Sequence, residues 1–593
     1  MKQFFKMFFA SLLAMIVAGV IVVAVTIGLI AGAVSSAMSN KPKVEVSSNS
    51  VLYIDMKTMF REQEQENSLA VISGESGYSP GLYDVIRSLD QAKTDDKIKG
   101  VVLRLNPSPN GWATLQQLRA AVQDFKTSGK FVYAYGENIT QSTYYVATAA
   151  DSVFLNPVGN MELKGFASIL AFFKGTLDKL EIEPEIFYAG KFKSATEPFR
   201  ATSMSDANRE QIIEFQQDFW NVFTTAVAEK TKTDVAAVNA LAVNGTIEFP
   251  QDALDHKLVD ALWYSDQVND LLRERTGTDE DKDVKLVTID KYAKNLNSGT
   301  RKDDRIAILY AEGAIVDGES NDDGQIASAN MVKTIRAIRK NDKIKAVVMR
   351  VNSPGGSALA SEVILRELQL LQKDKKLVVS MGDVAASGGY YISCYADSIF
   401  VMPNTVTGSI GVFSMLFNVE KMTKNKLGIT FDKVKNAPYA DFPSGYRPLT
   451  PEEGQRMQRS VDRIYSTFKG HVAKGRNMNV DDVDVIAQGR VWSGTDAISN
   501  GLADAYGDMD RAIESAAAMA GITDYSISTY PETVDKFEML LKRMGGTEGA
   551  SAAIRTSLEK EIESEYPFIQ QLKMLKNLNG KIVAIMPFSL SVQ

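Results

Sequence analysis

The sequence predicts an α/β protein: two tandem copies of one domain behind an N-terminal transmembrane helix. Three observations carry this. Residues Met7 to Asn40 contain no charge, and Phe8 to Val34 are nearly all apolar. Later stretches of the chain repeat one another at an almost constant spacing. Within each copy, valine-rich runs alternate with amphipathic ones, the pattern of strands and helices that build a parallel sheet.

A chain of 593 residues is too long for one core, so two or more domains are expected. Its apolar fraction of 45% is ordinary for a globular protein, and a net charge of −7 with a pI near 5.4 argues against nucleic acid as a partner. The single cysteine, Cys394, rules out an internal disulfide framework and a cysteine zinc cluster. Two histidines, His256 and His471, leave little room for a histidine metal site, so no metal and no cofactor is expected.

The N-terminal span exceeds the roughly 20 residues that cross a bilayer and the roughly 7–15 of a secretory h-region. Residues 1–40 therefore read as an uncleaved anchor, with Ala31-Gly-Ala33 the site at which a cleavable signal would be cut. Lys2 and Lys6 precede it while Lys41 and Lys43 follow, so flanking charge separates the two orientations poorly. A first span with a very short N-terminal tail usually keeps that tail inside. Everything after Lys41 would then lie on the outer face.

After a polar connector, Ser39 to Ser50, the duplication begins. Asp96-Lys-Ile-Lys-Gly-Val-Val-Leu-Arg-Leu-Asn106 reads against Asp342-Lys-Ile-Lys-Ala-Val-Val-Met-Arg-Val-Asn352, an offset of 246 positions. Gly136 to Asp151 falls on Gly382 to Asp397 at the same offset, and Gly245-Thr-Ile-Glu-Phe249 matches Gly489-Arg-Val-Trp-Ser493 at 244. The first repeat is placed at 50–290 and the second at 305–522, with 291–304 as linker.

Within the second copy, Ile344 to Val351 predicts a strand buried on both faces. Ser357 to Lys373 predicts a helix, with Leu359, Val363, Leu365, Leu368 and Leu371 at helical spacing. Strand Leu377–Ser380, a helix after Ser387 and strand Ser398–Met402 come next. A longer helix, Pro451 to Lys474, carries Ile464, Phe468 and Val472 on one face, and Asp206 to Lys230 is its counterpart. Residues 523–593 form a tail outside the repeat, mostly helical through Ala552 to Leu578 and interrupted near Pro567.

The candidate chemistry lies at Ala386-Ser387-Gly-Gly-Tyr-Tyr391. A serine where a strand turns into a helix has its hydroxyl beside unpaired N–H groups, and Gly388 and Gly389 let a backbone approach. The duplication acts as a control. Ser387 is replaced by Gln141 in the first copy, and Asn352-Ser-Pro-Gly-Gly356 by Asn106-Pro-Ser-Pro-Asn110. A Gly355-Gly356 turn can present N–H groups as an oxyanion hole, whereas Pro109 has none to give. Joint loss at two places that would cooperate points to Ser387 as a nucleophile.

A nucleophilic serine needs a base. His256 sits where Asn500-Gly501 ends a helix in the other copy, and His471 lies mid-helix. Lysine is the next candidate, and it must be held neutral by burial or a positive neighbour. Gly190-Lys-Phe-Lys193-Ser-Ala-Thr-Glu-Pro-Phe199 aligns with a second-copy stretch that has Ala440 in place of Lys193. One copy keeps the serine and the other the lysine.

With Tyr188-Ala-Gly-Lys-Phe-Lys193-Ser-Ala-Thr-Glu-Pro-Phe199, Asn352-Ser-Pro-Gly-Gly-Ser357, Ala386 to Tyr391 and Thr407-Gly-Ser409-Ile-Gly411, the chain resembles the long, duplicated form of the signal peptide peptidase A family, membrane-anchored Ser/Lys serine peptidases. The resemblance runs from the anchor to about Tyr506. It implies a crotonase/Clp-protease-like α/β fold for each copy, Ser387 as nucleophile, Lys193 as general base and Ser409 as the residue holding the lysine's amine. Gly388, Gly355 and Gly356 would supply the oxyanion N–H groups. It further implies signal peptides and other short hydrophobic peptides as substrates, a bowl-shaped homotetramer, and a single-pass place in a bacterial inner membrane with the catalytic part on the periplasmic face. Gly190-Lys191 departs from the family's usual Gly-Thr, and an extra cation there would either lower the base's pKa or point to solvent. Rival readings are a crotonase-like acyl-CoA enzyme and a catalytically inactive membrane scaffold.

Overall fold

The computed structural model describes residues 45–66, 78–296, 301–532 apart from 321 and 323, and 580–586, with scattered positions between 3 and 19. Most of the apolar Phe8–Val34 span, and the expected Ala552–Leu578 helix, lie outside the described residues. Among those described, no helix is long and apolar enough to cross a membrane.

Two mainly parallel sheets dominate, one per repeat, the second also carrying Val406–Gly408 and, antiparallel to it, Val491–Ser493. The first runs Ala261–Leu262, Ser152–Met161, Phe131–Ile139, Ile98–Arg104, Ser50–Asp55, Leu286–Thr288. The second repeats that order as Ala505–Tyr506, Ser398–Val401, Lys376–Ala386, Ile344–Ser353, Arg305–Glu312, Ser526–Tyr530. Tertiary hydrogen bonds repeat too. Tyr144 donates to the Leu258 carbonyl as Tyr390 does to that of Leu502. Asp260 accepts from Val153 N–H at 2.7 Å as Asp504 does from Ile399 N–H at 2.7 Å. The second sheet's edge strand lies past residue 522, and the tail's described regular structure is strand, Ser526–Tyr530 and Ile582–Ile585, rather than helix.

The central strand Ile344–Ser353 is apolar throughout because both its faces are covered. Val347, Met349 and Val351 pack under helix Ala358–Leu371, while Ala346 and Val348 meet Met509, Ala512 and Ala516 of helix Met509–Ala520. The buried stripe of Ala358–Leu371 is Ala360, Ile364, Leu365, Leu368 and Leu371. Leu359 and Val363 face outward, 68% and 42% exposed. Their spacing of four puts them on one face of the helix, but Ala360 and Ile364, next to them in sequence, are the pair that faces the core.

A third, smaller sheet joins the repeats. Its order is Gln325–Ala327, Ala314–Val316, Gly355–Ser357, Ile582–Ile585, Val412–Asn418, Glu183–Ala189. The last strand belongs to the first repeat yet pairs antiparallel with the second repeat from Ala189 opposite Val412 to Glu183 opposite Asn418. Buried polar contacts add to the junction. Asp383 accepts from Thr114 N–H at 2.9 Å and Thr114 Oγ1 at 2.7 Å, and Gln116 Oε1 accepts from Asn404 N–H.

Candidate active site

The crossing strand Glu183–Ala189 delivers Lys193 to the second repeat. Immediately after it the chain runs against Gln488-Gly489: Phe192 N–H donates to the Gln488 carbonyl at 2.8 Å, and Lys191 N–H to Gln488 Oε1. This approach needs glycine. A Cβ on Gly190 would lie 2.4 Å from the Gln488 carbonyl carbon, and one on Gly489 would lie 2.7 Å from Lys193 Cβ and 2.8 Å from its nitrogen. Gly489 also has φ of +76°, in the left-handed region. Gly489→Ala should displace Lys193 and lower kcat/KM about 100-fold, since a misplacement of about 1 Å costs that much. Steady-state kinetics check it.

Ser387 ends the long strand Lys376–Ala386 and opens the short helix Gly388–Ser393. Its backbone sits at φ +56°, ψ −111°. That is a strained state for a non-glycine residue, costing about 1–3 kcal/mol and recurrent where a nucleophile is presented on a sharp strand-to-helix turn. The turn is held by Ser387 N–H donating to the Gly408 carbonyl and by Tyr391 N–H donating to the Ser387 carbonyl, both at 2.8 Å.

The two halves meet at one amine. Lys193 Nζ lies 3.0 Å from Ser387 Oγ, 2.9 Å from Ser409 Oγ and 3.3 Å from the Ser409 carbonyl. Lys193 is 1% exposed and Ser387 0%. Burial holds the lysine's pKa well below its usual 10.5, because water no longer solvates the ammonium. Lys191 plays no part in that shift: its side chain is exposed and its Nζ sits over the Phe192 ring.

Gly388 opens its helix, so its N–H is among those with no partner inside the helix. Of the other two glycines, Gly355 N–H is taken by Ser353 Oγ at 3.2 Å. Gly356 lies in the middle of strand Gly355–Ser357, between Ile315 on one side and Ala584 on the other. In the first copy the corresponding place is filled: the Gln141 side chain accepts from Lys164 and Gly165 N–H and donates to the Gly165 carbonyl.

The histidines stand apart from this cluster. His256 is the exposed C-cap of helix Pro250–Asp255. His471 Nε2 is 2.9 Å from Glu362, and its other nitrogen faces Tyr395. Cys394 is buried, which pushes its thiol up to about 12. Among the described residues no group of acidic, histidine or cysteine side chains is arranged to hold a metal. Nothing in the sequence marks Gly489 as a contact of Lys193: it recurs as Gly245, but in the first copy a Cβ there would meet nothing.

A family model described as Peptidase family S49 matches residues 124–279 and 369–523, one stretch in each repeat, and one described as Clp protease matches 297–407. The chain is 36% identical over 496 residues to Protease 4 of Salmonella typhi, covering 82% of this chain and 78% of that protein. It is 33% identical over 522 residues to Protease 4 of Haemophilus influenzae, 83% of each. With the chloroplastic serine protease SPPA of Arabidopsis thaliana it shares 35% over 439 residues, 73% of this chain and 64% of that protein.

Proposed function

Since the chain belongs to peptidase family S49 and is a serine peptidase, we propose that Ser387 is its nucleophile and Lys193 its general base. The observation that carries this reading is the fully buried amine 3.0 Å from the serine oxygen. Neutral Lys193 takes the Ser387 proton as Oγ attacks a peptide carbonyl, with the amine aimed by Ser409. N–H groups of Gly388 and Gly356 stabilise the oxyanion, while Gly355, bonded to Ser353, shapes the loop. Lys193 then protonates the leaving amine, and water releases the acyl group.

The substrates are extended hydrophobic peptides, signal peptides among them. The support is the third sheet, where an extended apolar segment, Ile582–Ile585, lies next to Gly355–Ser357 with Val583 and Ile585 packed in one cluster with Phe413, Met415, Ile186 and Phe199. The domains stand on the outer face of a bacterial inner membrane, held by the Phe8–Val34 segment, and assemble as a homotetramer. Protease protection in spheroplasts and sedimentation of detergent-solubilised protein test these two points.

A serine-directed peptidyl phosphonate should label Ser387 and stop hydrolysis, and labelling elsewhere would defeat the assignment. The pH profile is a second check. The active form has Lys193 neutral, so kcat/KM should rise with pH through one ionisation below 10.5. His471→Phe should leave that inflection in place, because His471 answers to Glu362.

A further inference from the structure

Around the general base lies a set of buried polar contacts that take no direct part in the chemistry. Helix Asp206–Thr231 begins at its N-cap Ser205, and its first two turns reach back to the lysine's own loop. The buried Glu197 accepts from Ser205 Oγ at 2.5 Å and from Asn208 Nδ2 at 2.9 Å. A carboxylate only accepts, so Asn208 turns its nitrogen to Glu197 and its oxygen the other way. Gln211 Nε2 donates to that oxygen at 3.0 Å. The same nitrogen faces the Phe192 carbonyl at 3.3 Å and Ser194 Oγ at 3.1 Å. On its other side Gln211 Oε1 accepts from Val491 N–H at 3.3 Å. The Phe192 carbonyl can only accept and the Val491 N–H only donate, so the orientation of the amide is fixed from both ends.

Val491 matters because of the residue before it. Strand Val491–Ser493 lies antiparallel to Val406–Gly408, with Val491 opposite Gly408. Beside that pair the Arg490 carbonyl accepts from Ser409 N–H at 2.6 Å and holds Ser409 at φ +50°, a left-handed state uncommon for serine. The Gln211 amide therefore joins the residues on either side of Lys193 to the strand that sets Ser409, whose Oγ is 2.9 Å from the lysine amine. Two more side chains grip that strand from the same helix. Glu214 pairs with Arg490, and Asp218 accepts from Ser493 Oγ at 2.6 Å. Positions 211, 214 and 218 lie on one helix face.

The second copy shows the arrangement without the lysine. Counted from the N-caps Ser205 and Thr450, Arg456 stands where Gln211 does. Its side chain is 44% exposed, pairs with Glu452 at 3.3 Å and lies over the Tyr439 ring. The copy with Ala440 in the lysine's place thus has a solvent-facing cation where the other copy buries an amide.

We infer that Gln211 is a positioning residue for the general base: it sets the span between Lys193 and Ser409, and through that the aim of the amine at Ser387. The inference rests on the Ser387/Lys193 reading. Gln211 touches neither reacting atom. It acts through the backbone of Phe192 and Val491, and an uncharged amide does so without drawing a proton to the buried amine.

Kinetics on the full chain with Gln211→Met and Gln211→Glu test this, beside Glu214→Gln as a control on the same helix face. Gln211→Met keeps the side chain's length and drops every one of these contacts. Gln211→Glu keeps an acceptor for Val491 N–H, loses the donors, and carries the test if Gln211→Met does not fold. Each should lower kcat for peptide hydrolysis at least about 10-fold with KM held within about twofold, because aim is lost and substrate binding is not. The inflection of kcat/KM against pH should move up towards 10.5 in Gln211→Met, since a slackened site readmits water to the amine. It should move at least as far in Gln211→Glu, whose added negative charge favours the ammonium. Glu214→Gln, which removes an exposed ion pair from the same junction, should leave kcat within about twofold and the inflection in place. A folded Gln211 variant with wild-type kcat and inflection, or one whose loss lies in KM alone, overturns the inference and leaves the dyad standing where Lys193→Met is inactive. An equal loss in Glu214→Gln also overturns it, by placing the effect in the helix–strand junction at large. Activity surviving in Lys193→Met would bring down the dyad and this inference together.

Discussion

Ser387→Ala should lower kcat/KM for peptide hydrolysis by about 10,000-fold or more, and Lys193→Met should do nearly the same. The double variant should be no worse than either single one, because a nucleophile and its base act as one unit. The two substitutions part company in stability. Ser387→Ala removes one hydroxyl from a packed turn and should shift Tm little. Lys193→Met removes an amine that burial forces to stay neutral. In the unfolded chain that amine keeps its proton up to about pH 10.4. Between the lowered folded pKa and that value the unfolded state binds the extra proton, so wild-type stability rises with pH across the window. Lys193→Met should therefore raise Tm at neutral pH, with a gain that shrinks as pH climbs towards 10.4. Thermal melts at several pH values, paired with kinetics, check both halves. A Lys193→Met protein less stable than wild type at pH 7 would mean that the amine's three oxygen partners outweigh its desolvation.

Much of this site was legible because the chain carries its own comparison. Ser387 against Gln141, and Gly355-Gly356 against Pro109-Asn110, mark which copy retained reactive parts, and strand order and tyrosine hydrogen bonds repeat as the offsets imply. What escaped was mostly long-range. Glu183–Ala189 has strand composition, but nothing local says that its partner lies in the other repeat. The need for glycine at 489 comes from the Lys193 backbone, which is far away in sequence. The helix Ala358–Leu371 forms where the apolar spacing puts it, with Leu365, Leu368 and Leu371 buried, but Leu359 and Val363 face outward because small Ala360 is what fits against the sheet. The tail reads as mostly helical through Ala552 to Leu578, while the apolar run at Ile582–Ile585 pairs with strands formed far away in sequence.

Glu62→Ala should destabilise the protein by about 3–5 kcal/mol, on the order of 10 °C in Tm for a domain of this size. Glu62, from the first repeat, meets Arg350 of the second at 2.6 Å, with side-chain exposures of 4% and 1%. Arg350 also donates to Ser380 Oγ and the Met381 carbonyl, and Asn352 donates to Glu62. Removing the carboxylate strands a guanidinium where water cannot reach it. The duplication again supplies the control. Arg104 occupies the matching position in the first copy and pairs with Glu137 at 2.7 Å, but that carboxylate is more than half exposed. Glu137→Ala should therefore cost under about 1 kcal/mol. Activity should separate the two variants as well, because strand Ile344–Ser353 runs from Arg350 straight into the Pro354-Gly355-Gly356 loop, and Glu62 also lies against Gly382. Glu62→Leu combined with Arg350→Met, which removes both charges and keeps apolar bulk, should recover much of the lost stability. If it recovers stability without recovering hydrolysis, the ion pair positions the oxyanion loop as well as joining the repeats.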